Sequence, residues 1–311
     1  MVSNSLHWQQ RIGLQRDWIW RGWQIRYTYK RPSQPNQQLT TPIILLHGFG
    51  ASVGHWRHNI SVLSEQHTVY ALDLLGFGAS KKAAADYSIE LWVEQVYDFW
   101  KTFIGQPAVI VGNSLGSLVC LALAATHPDM VQGMTMINLP DISLQQESIP
   151  RWLRPIESNT KKLIASPPLL KALFKIVRRP AVIRRWAGMA YVNQEAISDE
   201  LVEILSTPPQ DAGAAKAFCY LFRGASNRQF APSAKVLLAN LQIPILLVWG
   251  RQDKFIPPNL APMFASLNPQ IQLVELDNAG HCPHDECPER FNQVFLDWLK
   301  TKLGEREKVK G

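Results

Sequence analysis

The stretch Val109–Cys120 reads VIVGNSLGSLVC. An apolar run ends at Gly112, Ser114 follows two residues later, and small and aliphatic residues continue toward Pro128. Unbroken apolar runs are what strands covered on both faces contain. The second run suits a helix that stops before Pro128, because the residue preceding a proline is pushed out of helical conformation. Gly112-Asn113-Ser114-Leu115-Gly116 therefore falls on a strand-to-helix turn. So tight a turn leaves no room for side chains beside the serine, which explains the two glycines. It lifts the Ser114 hydroxyl above a sheet, at the positive end of the following helix. Ser114 is the candidate nucleophile, and the neighbouring amide of Leu115 is a candidate oxyanion donor.

Further short apolar runs lie on both sides: Ile43–Leu46, Thr68–Leu72, Met134–Ile137, Ile245–Trp249 and Ile271–Glu275. Between them, IELWVEQVYDFWKTFI and ERFNQVFLDWLKTKL carry apolar residues at helical spacing. Upstream, WQIRYTYK alternates with period two, and DWIWRG before it can pair with it as a hairpin. The hairpin and six runs predict an α/β fold with a mostly parallel eight-stranded sheet flanked by helices. From Asp141 to Pro232 the alternation fails, and Pro-broken helical patterns replace it. The expected division is a core of residues 1–140 and 233–311 carrying a helical insertion over 141–232, near the sheet edge where α/β ligand sites lie.

A serine hydroxyl needs a base, and the base needs an acid to orient it. In a sheet of this kind the chain order is serine, acid, histidine. Asp253 lies in a turn after Ile245–Trp249, and His281 lies in a Gly-containing loop after Ile271–Glu275. Asp141 also follows a strand and competes for the acid role. His284 competes with His281, but it sits further into the start of the final helix. Asp73, beside two turn glycines, reads as a residue that organises its loop. In LLHGFGAS the amide of Phe49 is the second candidate oxyanion donor, with His47 supporting the loop.

Composition narrows the classes further. The 311 residues are 46% hydrophobic and 18% charged, which is globular, and a chain this long buries a core without metal or disulfide. Four cysteines make no disulfide framework, so a reducing compartment is expected. The start, MVSNSLHWQQRIGLQRDW, has no signal-peptide pattern, and no run approaches the roughly 20 apolar residues of a spanning helix. The expected location is the cytoplasm or the inner face of a membrane, without secretion. Net charge is +7, and Arg151–Arg185 holds ten Lys or Arg against the single acid Glu157. PPLLKALFKIV within it forms an apolar helix with cationic flanks, suited to an anionic bilayer or to packing on the core. No stacking-aromatic or DNA-binding motif accompanies that charge, so nucleic acid is not an expected partner. The C-terminal KTKLGEREKVKG reads as a solvated basic tail that frays at its end. Within NAGHCPHDECPER, residues 281–287 pack two histidines, two cysteines and two carboxylates together, too closely for a zinc set, and neither metal nor cofactor is expected. Asp285 or Cys287, with Pro288, reads as the entry to the final helix.

Together LLHGFGAS, DLLGFGAS, GNSLG, WGRQD and GHCPH resemble the α/β-hydrolase superfamily over Asp17–Asp141 and Asn240–Leu303. The insertion then corresponds to that superfamily's cap or lid. VGNSLGS with AGHCPHDECPE is similar to the pheophytinase and chlorophyll dephytylase group. That resemblance implies Ser114 as nucleophile, His281 as base and a membrane-derived substrate, the phytyl ester of a chlorophyll pigment, so the membrane expected above includes a thylakoid. The expected activity is hydrolysis of a carboxylic ester. A C–C bond hydrolase, a cofactor-free haloperoxidase and a ligand-binding protein that retains the triad are the alternatives.

Overall fold

The structure, a computed structural model, describes residues 7–33, 41–141, 166–227 and 229–310. A one-turn helix, α1 (Trp8–Arg11), leads into the hairpin β1 (Leu14–Trp20) and β2 (Trp23–Lys30). Arg21 and Gly22 between them both take positive φ, the backbone a two-residue hairpin turn needs. Then follow β3 (Ile43–Leu46), α2 (Ile60–Leu63), β4 (Val69–Leu72), α3 (Ile89–Phe103), β5 (Ala108–Asn113), α4 (Leu115–Thr126) and β6 (Val131–Ile137). After the insertion come α9 (Ala234–Leu238), β7 (Ile245–Gly250), α10 (Leu260–Ala265), β8 (Ile271–Leu276), α11 (Pro283–Glu286) and α12 (Pro288–Lys310).

The eight strands form one sheet in the order β1-β2-β4-β3-β5-β6-β7-β8. Only the pairings of β1 with β2 and β2 with β4 are antiparallel. Period two divides the strands between two apolar layers. Ile44, Leu46, Ile110 and Leu247 join α3 and α4 on one face, while Ile43, Leu45, Val109 and Leu246 join Phe291, Phe295 and Trp298 of α12 on the other. The six apolar runs are all strands. β8 differs from the other parallel strands in being only half-buried, because it is the sheet's edge. The final helix runs on through Lys310 where a frayed tail is expected.

Between β6 and β7 the described residues contain no strand. They form α5 (Pro167–Val177), α6 (Pro180–Ala190), α7 (Asp199–Ser206) and α8 (Ala214–Ala225). Residues 142–165, including the cationic residues Arg151, Arg154, Lys161 and Lys162, lie outside the described part, as do most of the polar loop at 34–40.

Buried polar contacts fasten these helices to the core. Arg57 donates to Glu200 at 2.8 Å and to Asp285 at 2.5 Å. The Tyr191 hydroxyl donates to the other Asp285 oxygen at 2.6 Å. That use of its proton makes the hydroxyl oxygen the acceptor for His55 Nε2 at 2.8 Å. Lys82 donates to Asp211 at 2.9 Å. Asp285 is thus committed to Arg57 and Tyr191 inside the protein and does not serve the final helix. Cys287 and Pro288 form that entry, with the Cys287 carbonyl accepting from Phe291.

Three histidines sit deep in this framework. Burial pushes His47 and His55 down to about 4 and His284 well below its ordinary value. Both ring nitrogens of His284 lack a partner among the described residues, and its ring lies 4.3 Å from that of Trp56. As pH falls below about 6.5 the unfolded chain protonates these rings while the folded chain does not, so stability is lost down to about pH 4. Burial pushes Asp73 up to about 6, which opposes the trend with a single group. Urea midpoints should therefore fall from about pH 7 to about pH 4.5, and His284→Phe should flatten that fall by about 1 kcal/mol or more. A midpoint independent of pH, or an unchanged slope in the variant, would contradict this reading.

Candidate active site

Ser114 stands between β5 and α4 at φ 52° and ψ −113°, a strained backbone for a residue with a side chain. The two glycines of the motif are sterically required. A Cβ on Gly112 would run into the backbone of Gly116, and one on Gly116 would overlap the Leu46 carbonyl oxygen of β3. The elbow therefore forms only because helix, turn and neighbouring strand meet backbone to backbone. The strand pairing places it near the middle of the sheet, with β3 on one side and β6 on the other.

Asp253 follows β7 and His281 follows β8, as the sequence order requires. Asp253 Oδ2 lies 2.8 Å from His281 Nδ1. That contact fixes the proton on Nδ1 and leaves the Nε2 lone pair available. Burial raises the Asp253 carboxyl, but hydrogen bonds from His281, Ile256 and Asn138 outweigh it, and the group lies below the ordinary carboxylate range. Its Oδ1 accepts from the amides of Phe255 at 2.7 Å and Ile256 at 3.0 Å. Ser114 and His281 line the same cavity. Asp253, and not Asp141, is the carboxylate against His281. His284 points elsewhere, into the aromatic pocket beside Trp56.

Four contacts hold the backbone that carries the histidine. The Gly280 amide donates to Glu286 Oε2 at 2.7 Å, and its carbonyl accepts from Asn138 Nδ2 at 3.2 Å. The His281 amide donates to the Ala190 carbonyl at 2.7 Å, and its carbonyl accepts from Asn113 Nδ2 at 3.1 Å. Asn138 also donates to Asp253 and accepts from the Gly250 amide. Glu286 accepts in addition from the amides of Val192 and Asn193, just beyond α6. Asn113, Asn138 and Glu286 are positioning residues that the sequence reading passed over. The one local signal was at Asn138, an asparagine directly after a strand, where it takes φ 50°.

The loop after β3 is held from below. The Leu74 amide donates to His47 Nε2 at 3.1 Å, so Nδ1 carries the proton and donates to the Gly48 carbonyl at 2.7 Å. Asp73 accepts from the amides of Val53 and Ala79, both at 2.7 Å. Both residues organise loops, as their sequence context predicts. Among the described residues the amides of Phe49 and Leu115 donate to no protein acceptor; Leu115 follows Ser114 directly, and Phe49 lines the same cavity as Ser114. The cavity above has a volume of about 680 Å³. Aromatic and aliphatic side chains such as Phe174, Ile183, Trp186, Phe222 and Ile256 make up most of its wall. Among the described residues no three His, Cys, Asp or Glu side chains converge as a metal set. In NAGHCPHDECPER they diverge, to Asp253, Arg57 and backbone amides.

Comparison with known proteins agrees with this architecture. Residues 41–288 match the family model described as the alpha/beta hydrolase fold. Chloroplastic pheophytinase of Arabidopsis thaliana is 27% identical over 89% of this chain, which spans 64% of that protein's length. Human 1-acylglycerol-3-phosphate O-acyltransferase ABHD5 is 25% identical, over 90% of this chain and 81% of its own. The crystal structure of a membrane phospholipase A, a bacterial virulence factor, shares the fold with a TM-score of 0.73 and 24% identity, covering 94% of this chain and 87% of that one. With its eight-stranded sheet, serine elbow and strand-end histidine and aspartate, the chain belongs to the α/β-hydrolase family.

Proposed function

We propose that this hydrolase cleaves a carboxylic ester with a long apolar chain, through Ser114, His281 and Asp253. One observation carries the reading: Ser114, on its strained elbow, opens into the same apolar cavity as a histidine whose Nδ1 is held by Asp253. Ser114 Oγ attacks the ester carbonyl while His281 Nε2 takes its proton. The oxyanion accepts from the amides of Phe49 and Leu115. His281 then gives the proton to the departing alkoxide, releasing the alcohol and leaving an acyl-enzyme. A water deprotonated by His281 attacks that ester, and the acid leaves as Ser114 recovers its proton. The reaction needs neither metal nor organic cofactor. Asp253 stabilises the imidazolium formed in both halves.

The helices between β6 and β7 act as a cap that furnishes most of the apolar wall. Such a wall favours a lipidic group over a small polar one. Its character and the likeness to pheophytinase support the phytyl ester of chlorophyll or pheophytin as the substrate, and so work at the photosynthetic membrane.

Ser114→Ala should lower kcat for any hydrolysed ester by about 10³-fold or more, with the unfolding midpoint retained. Wild-type turnover by that variant would refute the assignment. In a p-nitrophenyl ester series, kcat/KM should rise severalfold from butyrate to octanoate, as added methylenes leave water for the cavity. A flat or falling series would remove the lipidic reading. For the pigment itself, chlorophyll a and pheophytin a are incubated with the protein and separated by chromatography. Loss of the phytyl chain from either supports the proposal, and intact pigments in both would limit it to a general esterase.

A further inference from the structure

The outer surface of α5 and α6 is apolar where soluble proteins usually carry charge. Leu169, Leu173 and Ile176 lie at i, i+4 and i+7 on α5, one face of the helix, and are 49%, 40% and 50% exposed. The inward face is already supplied by Leu170 and Phe174, which are buried. Helix α5 is therefore apolar on two sides, and packing on the core uses only one of them. On α6 Trp186 is 52% exposed, and it stacks on the exposed Phe255 at 6.3 Å. Phe255 in turn meets the His281 ring edge-on at 5.3 Å. Trp186, Phe255 and the exposed Phe49 all line the cavity. The wall of the cavity thus reaches solvent as a rim of aromatic rings.

Cations flank this surface. Lys171, Lys175, Arg179 and Arg185 are exposed, and among the described residues no carboxylate pairs with them. Arg184 differs, since Asp199 holds it. Neither helix contains an acid. An apolar helix face with unpaired cations beside it matches the boundary between acyl chains and anionic headgroups. A polyanion such as nucleic acid would satisfy the charge but leave the leucines and isoleucine in water. A protein partner would ordinarily offer carboxylates at defined positions, whereas these cations are spread along both helices. Among the described residues no helix is long and apolar enough to cross a membrane.

We propose that α5 and the exposed edge of α6 form a docking surface for an anionic lipid bilayer, with the aromatic rim of the cavity facing the acyl chains. Leu169, Leu173 and Ile176 enter the headgroup boundary, and Lys171, Lys175, Arg179 and Arg185 meet lipid phosphates and carboxylates. A long-chain ester then passes from bilayer to cavity along apolar surface. Docking does not depend on the identity of the ester, nor on hydrolysis.

The test is flotation of the full-length protein with two vesicle types, phosphatidylcholine alone and phosphatidylcholine with about one-third phosphatidylserine, at physiological and at high salt. The protein should float with the anionic vesicles at physiological salt, at least tenfold more than with the neutral ones. The double variant Lys171→Glu/Lys175→Glu should lose at least tenfold of that binding, and so should Leu173→Asp/Ile176→Asp. Thermal unfolding midpoints within a few degrees of wild type establish that both variants are folded. Where a soluble ester is hydrolysed, its rate without vesicles should be unchanged. Equal flotation with both vesicle types, no flotation with either, or wild-type flotation by both folded variants would overturn the proposal. Because binding is read separately from turnover, a protein that docks but hydrolyses nothing would refute the enzymatic reading and leave this one standing.

Discussion

The backbone contact between the start of α4 and the end of β3 is the constraint on which the site rests. At Gly116 the helix comes so close to the Leu46 carbonyl that even a methyl group would collide. At Gly112 the strand comes equally close to the helix it feeds. These two approaches force Ser114 into a backbone that a serine rarely adopts, and the sheet's parallel core holds it there. The cost of that strained residue, of order 1–3 kcal/mol, is small beside the burial of α4, whose residues Leu115–Ala124 are all buried.

The histidine is held by a different device. It sits on a loop at the edge of the sheet, beside a half-buried strand, where packing alone would leave it loose. Four hydrogen bonds to the Gly280 and His281 backbone compensate, from Glu286, Asn138, Asn113 and the Ala190 carbonyl. Two of these lead to the helices over the cavity. Ala190 belongs to α6, and Glu286 also binds the amides of Val192 and Asn193. The position of His281 is thereby tied to the position of the helices over the cavity. Arg57, Asp285, Tyr191 and Glu200 reinforce the same joint, and losing either Arg57 or Asp285 would be costly because the other is a buried charge. A movement of those helices would be felt at His281 through the shared hydrogen bonds.

Much of this was legible in the residues because the relevant signals are local. Strands covered on both faces are built on unbroken apolar runs, and β3 to β7 each contain one, with polar residues such as Gln132 and Asn113 at or near their ends. The elbow announces itself through two glycines and a serine at the junction of a strand and a helix, and the contact of Asp253 with His281 through their places after β7 and β8. The polar clamps were not legible, since most of them depend on which side chains meet from distant parts of the sequence. Nothing near Asn138 says that Gly280 and Asp253 will be its partners. NAGHCPHDECPER gave the strongest false cue, because six chemically active residues in seven positions suggest one site. In three dimensions they separate: His281 turns to the cavity, His284 into an aromatic pocket, and Asp285 and Glu286 to the joint with the helices above. Of the two residues expected at the entry of the final helix, Asp285 or Cys287 with Pro288, Cys287 takes the place, and Asp285 turns instead to the buried Arg57.

The central claim is that Ser114 is a nucleophile activated by His281. Its most direct test is to treat the protein with a fluorophosphonate probe and locate the adduct by mass spectrometry. The account predicts a single adduct on Ser114, formed rapidly by the wild type and at least about a hundredfold more slowly by His281→Ala, since the lone base has been removed. An adduct elsewhere, no adduct, or labelling at an equal rate in the His281 variant would contradict it.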